Sequence, residues 1–220
     1  KEKMKVSILS GTDTIRVFEQ EPDSFLTTIH WHFDTNGFQY PTKGKREKSK
    51  SIPGGGYRVA PGRYEMHISY AGEKVHTDIW VEEDPRVPFD QGVYTEQKEL
   101  YTKWKSVMLD LDKEVEKVKE SKELMNWCLE SMKYLPDSLQ KPAKALSDSI
   151  TKSWNVQMDK VFMKDGLNGI QDDSRVISGR WWTPYALLST EMEFPGTNAV
   201  NGIQLLDKDV QKWKAENEKI

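Results

Sequence analysis

Along roughly the first eighty residues apolar side chains recur at every second position, the period of strands with one buried face. Val6-Ser7-Ile8-Leu9 and Thr14-Ile15-Arg16-Val17-Phe18 flank Gly11-Thr12-Asp13, whose turn chemistry joins them as a hairpin. Leu26 to Phe33 alternates again and places Ile29, Trp31 and Phe33 on one face, the expected core. Residues 34–56 carry Asn36-Gly37, a basic run and Gly54-Gly55-Gly56, the composition of a long, solvated, mobile excursion with a glycine hinge. Order is expected to return at Tyr57. After the Ala60-Pro61-Gly62 turn, Tyr64, Met66, Ile68 and Tyr70 alternate as far as Ala71-Gly72-Glu73, which closes a second hairpin. Val75, Thr77, Ile79 and Val81 complete it, with Trp80 on the opposite face. Short strands joined by tight turns, with no helix between them, indicate an antiparallel, immunoglobulin- or fibronectin-like β-sandwich rather than a parallel sheet.

The period changes after Glu82-Glu83-Asp84-Pro85-Arg86-Val87-Pro88, where two prolines in a charged segment end the strand pattern. From about Thr95 helical spacing takes over, with Leu100, Trp104, Val107, Leu111, Val115, Val118, Met125, Cys128, Met132 and Leu135 on one stripe. Pro136-Asp137-Ser138 interrupts it. A second stripe, Leu139, Ala143, Leu146, Ile150, Trp154, Met158 and Val161, returns antiparallel along the first, with Gly166 and Gly169 ending it. Trp181-Trp182-Thr183-Pro184-Tyr185 and Leu187-Leu188 form a short helix or a packed loop, and Gly202 to Lys219 a last helix with Ile203, Leu206, Val210 and Trp213 inward. The expected fold class is therefore α+β with two domains: a sandwich over residues 1–88 and an antiparallel bundle of three or four helices over residues 89–220.

Composition adds limits. The chain has 220 residues, 30% of them charged, and a formal net charge of −3 with interspersed signs. Its densest basic run, Lys43 to Lys50, gives no electrostatic case for nucleic acid or an anionic membrane. No apolar run approaches the eighteen or so residues of a membrane span. The single cysteine, Cys128, excludes an internal disulfide and reads as a small buried hydrophobe. The start, Lys1-Glu2-Lys3, is not a signal peptide, and a chain that opens almost directly on a strand reads as a piece of something longer.

The string from Gly56-Tyr57-Arg58-Val59-Ala60-Pro61-Gly62-Arg63-Tyr64, through Ala71-Gly72-Glu73-Lys74 to Val81 and Asp84-Pro85-Arg86, resembles the C-terminal region of bacterial sortilin-like proteins, which carry BNR/Asp-box repeat β-propellers. Trp31-His32-Phe33-Asp34 is similar to that family's Trp-Asp-Leu strand, although His32 interrupts the usual spacing. The resemblance implies an accessory region that follows a propeller in an exported, glycosyl-hydrolase-like protein. The partners implied are that propeller, another protein, or a glycan. It carries over no catalytic residue, and the Asp-box pattern itself is missing from the sequence.

Chemistry was sought directly as well. His30, His32, His67 and His76 fall in the strand region, and His30 and His32 with a cross-strand histidine have the makings of a zinc site. The plainer reading puts them on a solvated face, and no metal or other cofactor is expected. The carboxylate neighbours Glu82-Glu83-Asp84, Asp172-Asp173 and Glu191 with Glu193 do not face each other across a sugar, as a glycosidase pair must. Ser10-Gly11 and Ser178-Gly179 lack a nucleophile elbow, and the triple glycine lacks the Lys-Ser/Thr of a phosphate loop. No catalytic residue is assigned. The candidate binding surface is aromatic: Trp181, Trp182, Tyr185 and Trp80, as interface anchors or sugar-stacking rings, or, for the first three, as a plug for the open end of the bundle. Two functions follow, an interaction module without catalysis and, alternatively, a carbohydrate-binding module.

Overall fold

A computed structural model describes residues 2–45, 54–134, 136–164, 166, 172–190 and 193–220, the side chains of residues 189 and 190 excepted. Of the residues named above, Lys1, Leu135, Gly169, Glu191 and the basic run from Arg46 to Lys50 lie outside the described set. The fold class is α+β: an antiparallel strand region followed by long helices. The chain divides into two compact units, Lys1–Gln39 with Arg46–Tyr101 and Glu191–Phe194, and Tyr40–Lys45 with Thr102–Thr190 and Pro195–Ile220.

In the first unit, β1 (Met4–Ser10), β2 (Asp13–Gln20), β5 (Gly62–Tyr70) and β6 (Glu73–Val81) form one antiparallel sheet in the order β2-β1-β5-β6. Both expected hairpins are present. The β5–β6 turn has Ala71 at φ 51° and Gly72 at φ 85°, the two left-handed central residues of the tight turn whose twist matches the strands. Alternation sets the faces. Met4, Val6, Ile8, Tyr64 and Met66 are buried on one side, and Ile15, Phe18, Ile68, Ile79 and Val81 pack against them. The register aligns Ser7, His67 and His76 in one row across the other, solvated side.

The expected strand from Leu26 to Phe33 does not form; the segment is irregular. Its side chains do reach the core, since Ile29 and Trp31 pack onto the sheet, but Phe33 is half-exposed at φ 54°, a conformation no strand allows. The Trp31 indole N–H donates to the Asp34 carbonyl at 2.9 Å and fixes this bend. The excursion expected over 34–56 is also corrected in its described parts. Asp34–Asn36 (β3) pairs antiparallel with Gly55–Arg58 (β4), and Phe38 and Pro41 are buried. Two of the three glycines are packing devices: a Cβ on Gly55 would run into the Asp34 carboxylate, and one on Gly56 would stand 2.5 Å from the Asn36 carbonyl oxygen.

The first helix, α1 (Gln91–Ser131), starts where Asp90 accepts from the backbone N–H of Gly92 and Val93, a side-chain cap four residues earlier than the spacing announces. Its opening turns belong to the strand unit, where Val93, Tyr94, Gln97 and Tyr101 are buried.

The second unit takes the rest of α1 with α2 (Asp137–Val161), α3 (Ile177–Arg180), α4 (Trp182–Thr190) and α5 (Thr197–Asn217). Lys122 donates to Asn155, and Thr151 donates to the Met125 sulfur. Positions rising on α1 meet positions falling on α2, so the two run antiparallel. Lys160 meets Glu216 and Trp213 donates to the Gln157 carbonyl, so α2 and α5 run parallel. The α2 helix stops at Val161, before Gly166, because Phe162 turns to extended backbone and its ring is buried. The inward set Ile203, Leu206, Val210 and Trp213 on α5 is buried as expected.

Candidate interaction surface

Three of the four candidate aromatics come together in the helical unit, where they divide by environment. Trp181 is buried, and its carbonyl accepts the indole N–H of Trp104 at 2.7 Å. Trp182 turns outward and is 46% exposed. Tyr185 stacks on Trp104 with centroids 4.9 Å apart and planes at 19°, and Tyr40 lies 4.7 Å from the Trp182 ring. Burial, and then the neighbouring Tyr185, push the Tyr40 phenol up to about 12. Trp182 and Tyr185 meet edge-on at 64°, so they offer no flat pair of rings of the kind that stacks on a sugar.

Trp80, the fourth candidate, is in the strand unit on β6, directly opposite Arg63, and 69% exposed. The histidines separate. His30 and His32 are exposed on the irregular segment, whereas His67 and His76 pair across β5 and β6 with ring centroids 5.5 Å apart. Among the described residues no group of three His, Cys, Asp or Glu side chains comes within reach of a metal ion.

The carboxylate clusters are engaged locally. Hydrogen bonds from the Arg86 side chain and backbone hold Asp84 below the usual carboxylate range, and Asp172 is lowered by accepting from the Ser174 hydroxyl and N–H. Glu193 is exposed. A pocket of about 200 Å³ in the strand unit has Val59, Val81, Phe89 and Val93 in its walls and Glu82 and Glu83 among its polar lining. Its size suits one side chain rather than a drug-sized ligand.

Sequence reasoning missed Gln97. Its amide is fully buried, accepts from the Tyr57 hydroxyl at 3.0 Å and from Arg58 at 2.5 Å, and donates to the Glu193 carbonyl at 2.8 Å. No pattern flags it, because a polar residue on a charged helix face looks solvated.

The other feature is the far half of the α1–α2 hairpin. Every described residue from 119 to 146 is at least partly exposed, although both helices continue through most of the range. Among the described residues, the contacts of α5 stop short of this stretch. The contacts of α5 with α1 reach Asp110 and Glu114, and its contacts with α2 lie at Gln157 and Lys160. Past those points Met125, Leu129, Met132 and Ala143 stay half-exposed, and the segment 40–45 meets α1 at Lys119 and Glu123. Leu124, Trp127, Tyr134, Leu139 and Leu146 are exposed outright. A groove of about 430 Å³ between the two helices is lined by apolar Leu129 and Met132 and by charged side chains of both signs, among them Glu130, Lys133, Lys141 and Asp148.

The chain matches no protein-family model, and no curated protein or solved structure is similar to it. The surface therefore has to be interpreted from its own chemistry.

Proposed function

We propose that the chain is a non-catalytic interaction module whose docking element is the outer half of the α1–α2 hairpin, and that its partner contributes an amphipathic helix. The observation that carries this reading is the run of residues 119–146, two long helices with an apolar seam that the chain's own third helix does not cover. A partner helix lying on the seam continues the position α5 holds nearer the core and buries the half-exposed methionines, leucine and alanine in the way a bundle does. The groove lining carries both signs of charge, which suits a helix of mixed surface charge better than a polyanion or polycation.

The resemblance to the region after a sortilin-like propeller belongs to the same proposal: an accessory part of a larger exported protein, with the preceding propeller or another protein as partner. The immunoglobulin-like reading of the strand region belongs here too, supported by its all-antiparallel hairpins and by a core on one face of the sheet.

The test is a photo-crosslinking amino acid placed at Trp127 or Leu146 in cells that make the protein. The reading expects a discrete polypeptide adduct from both positions that disappears when Leu124 and Leu139 are changed to Glu. Adducts no different from those formed at Lys208, an exposed position on α5, would contradict it. The carbohydrate reading has exposed Trp80 and Trp182 in its favour and is tested by acrylamide quenching of tryptophan fluorescence with a panel of soluble polysaccharides. Protection of a tryptophan by one of them would establish that reading in place of ours.

A further inference from the structure

The four-stranded sheet treats its two edges differently. The β2 edge is occupied. The Val17 N–H donates to Asn36 Oδ1 at 2.9 Å, Arg16 donates to the Gly54 carbonyl at 2.5 Å, and the Arg16 guanidinium lies 3.4 Å from Asp34. The β6 edge is open. It is 9 residues long against β5, with no register shift and no proline, and no described residue hydrogen-bonds to its outer side. A long edge with neither bulge nor proline is one that natural sheets protect unless it is used for pairing.

The hairpin fixes which groups point outward. Tyr70 and Glu73 flank the two-residue turn and are its hydrogen-bonded pair, so the odd-numbered residues of β6 direct their backbone groups to β5. Lys74, His76, Asp78 and Trp80 direct theirs away from the sheet.

We infer that β6 pairs antiparallel with β6 of a second copy, about a two-fold axis at Thr77. This surface is separate from the hairpin seam, and the inference does not rest on the function proposed above. The β6 edge is self-complementary. In this register each hydrogen-bonded pair uses only outward-facing residues: His76 opposes Asp78 of the second copy and Lys74 opposes Trp80, each pair occurring twice by symmetry. An imidazole faces a carboxylate in the first pair and a cation meets an indole ring in the second. On the other face exposed Val75 meets Ile79, and Thr77 meets its own copy, a favourable cross-strand pair. Slipping the register by two residues in one direction sets Asp78 against Asp78, which like charge opposes, and in the other parts Lys74 from Trp80 and sets it against Asp78, a carboxylate that Arg63 already holds at 2.9 Å. No register needs the inner ladder to β5 to change.

Sedimentation equilibrium of the full chain from micromolar to near-millimolar concentration tests the pairing. A reversible monomer–dimer equilibrium is expected. His76→Pro removes an outward N–H and leaves the β5 ladder intact, so it should weaken association by about tenfold or more with its circular dichroism melt still cooperative. The register is read in a Cys128→Ser background. Thr77→Cys places two thiols at a non-hydrogen-bonded pair, about 4.5 Å apart at Cα and within disulfide reach, whereas Val75→Cys faces Ile79. The inference expects an oxidised dimer from the first and not from the second. It is overturned if the parent chain stays monomeric at the highest concentration, if His76→Pro dimerises as the parent does, or if the two cysteine variants cross-link equally. Glu at Leu124 and Leu139 should leave the dimer unchanged, which separates failure of this inference from failure of the hairpin reading.

Discussion

Trp104 shows how one side chain organises the helical unit. It is fully buried, donates to the Trp181 carbonyl and stacks on Tyr185. Trp104→Ala removes the ring and leaves that carbonyl without its donor, so a loss of about 3–5 kcal/mol is expected in urea unfolding. Trp182→Ala, at a ring that is nearly half-exposed, should cost under about 1.5 kcal/mol in the same measurement. The phenols supply a pH test. Burial raises both Tyr40 and Tyr94 to about 12, with neighbouring tyrosines adding to it. A folded-state pKa raised above the unfolded value of about 10 gives stability that is complete below pH 10 and is lost as pH rises towards 12. Thermal melts from pH 9 to pH 12 should show that decline, and Tyr40→Phe and Tyr94→Phe should each flatten it.

At the scale of elements, the β5–β6 turn holds an alanine where the turn wants a residue at ease with positive φ. Ala71→Asn should therefore stabilise the chain by about 1 kcal/mol, read as a higher urea midpoint with an unchanged slope. The α1–α5 contact gives a second prediction. Burial alone would raise Asp110, but hydrogen bonds from Lys214 and Gln211 outweigh it and leave the carboxyl below its usual value. A lowered folded-state pKa contributes stability above the unfolded value and loses it as pH falls through the folded one. Asp110→Asn should therefore reduce the loss of stability on acidification below pH 4, seen in melts at pH 2–4. Most of these elements were legible in the sequence. Both hairpins, the long helices and the inward face of α5 follow from apolar spacing of two or of three and four. The spacing failed at Leu26–Phe33, where alternation placed Ile29 and Trp31 against the core and Phe33 broke the strand with a bend that no hydrophobic pattern records. It failed again at 54–58, where glycines that look like a hinge are required by the close approach of β3. Among the candidate aromatics, the spacing does not say which ring is buried: Trp181 is, and Trp182 is not.

At the scale of the molecule, the sequence shows two apolar stripes of similar strength along α1 and α2 and gives no sign that, among the described residues, the stretch 119–146 lies beyond the contacts of α5. That is a property of where α5 ends its contacts, and it makes the surface at 119–146 invisible until the chain is folded. Two helices with a half-covered seam should open more readily than three, so backbone amides of the described residues from 119 to 146 should exchange faster than those of 104–118 and 203–213. Hydrogen exchange read by mass spectrometry checks this order.

The central claim is that this apolar face is not used by the chain's own fold, and thermal unfolding of the variant Leu124→Lys, Trp127→Lys, Leu139→Lys, Leu146→Lys tests it most directly. At about 0.5 kcal/mol for each surface substitution, and 2–4 °C for each kcal/mol, the midpoint should stay within about 8 °C of the parent and the transition should stay cooperative. A fall of more than about 20 °C, the size expected from charging four core positions, would mean that these side chains hold the chain together and are not offered to a partner.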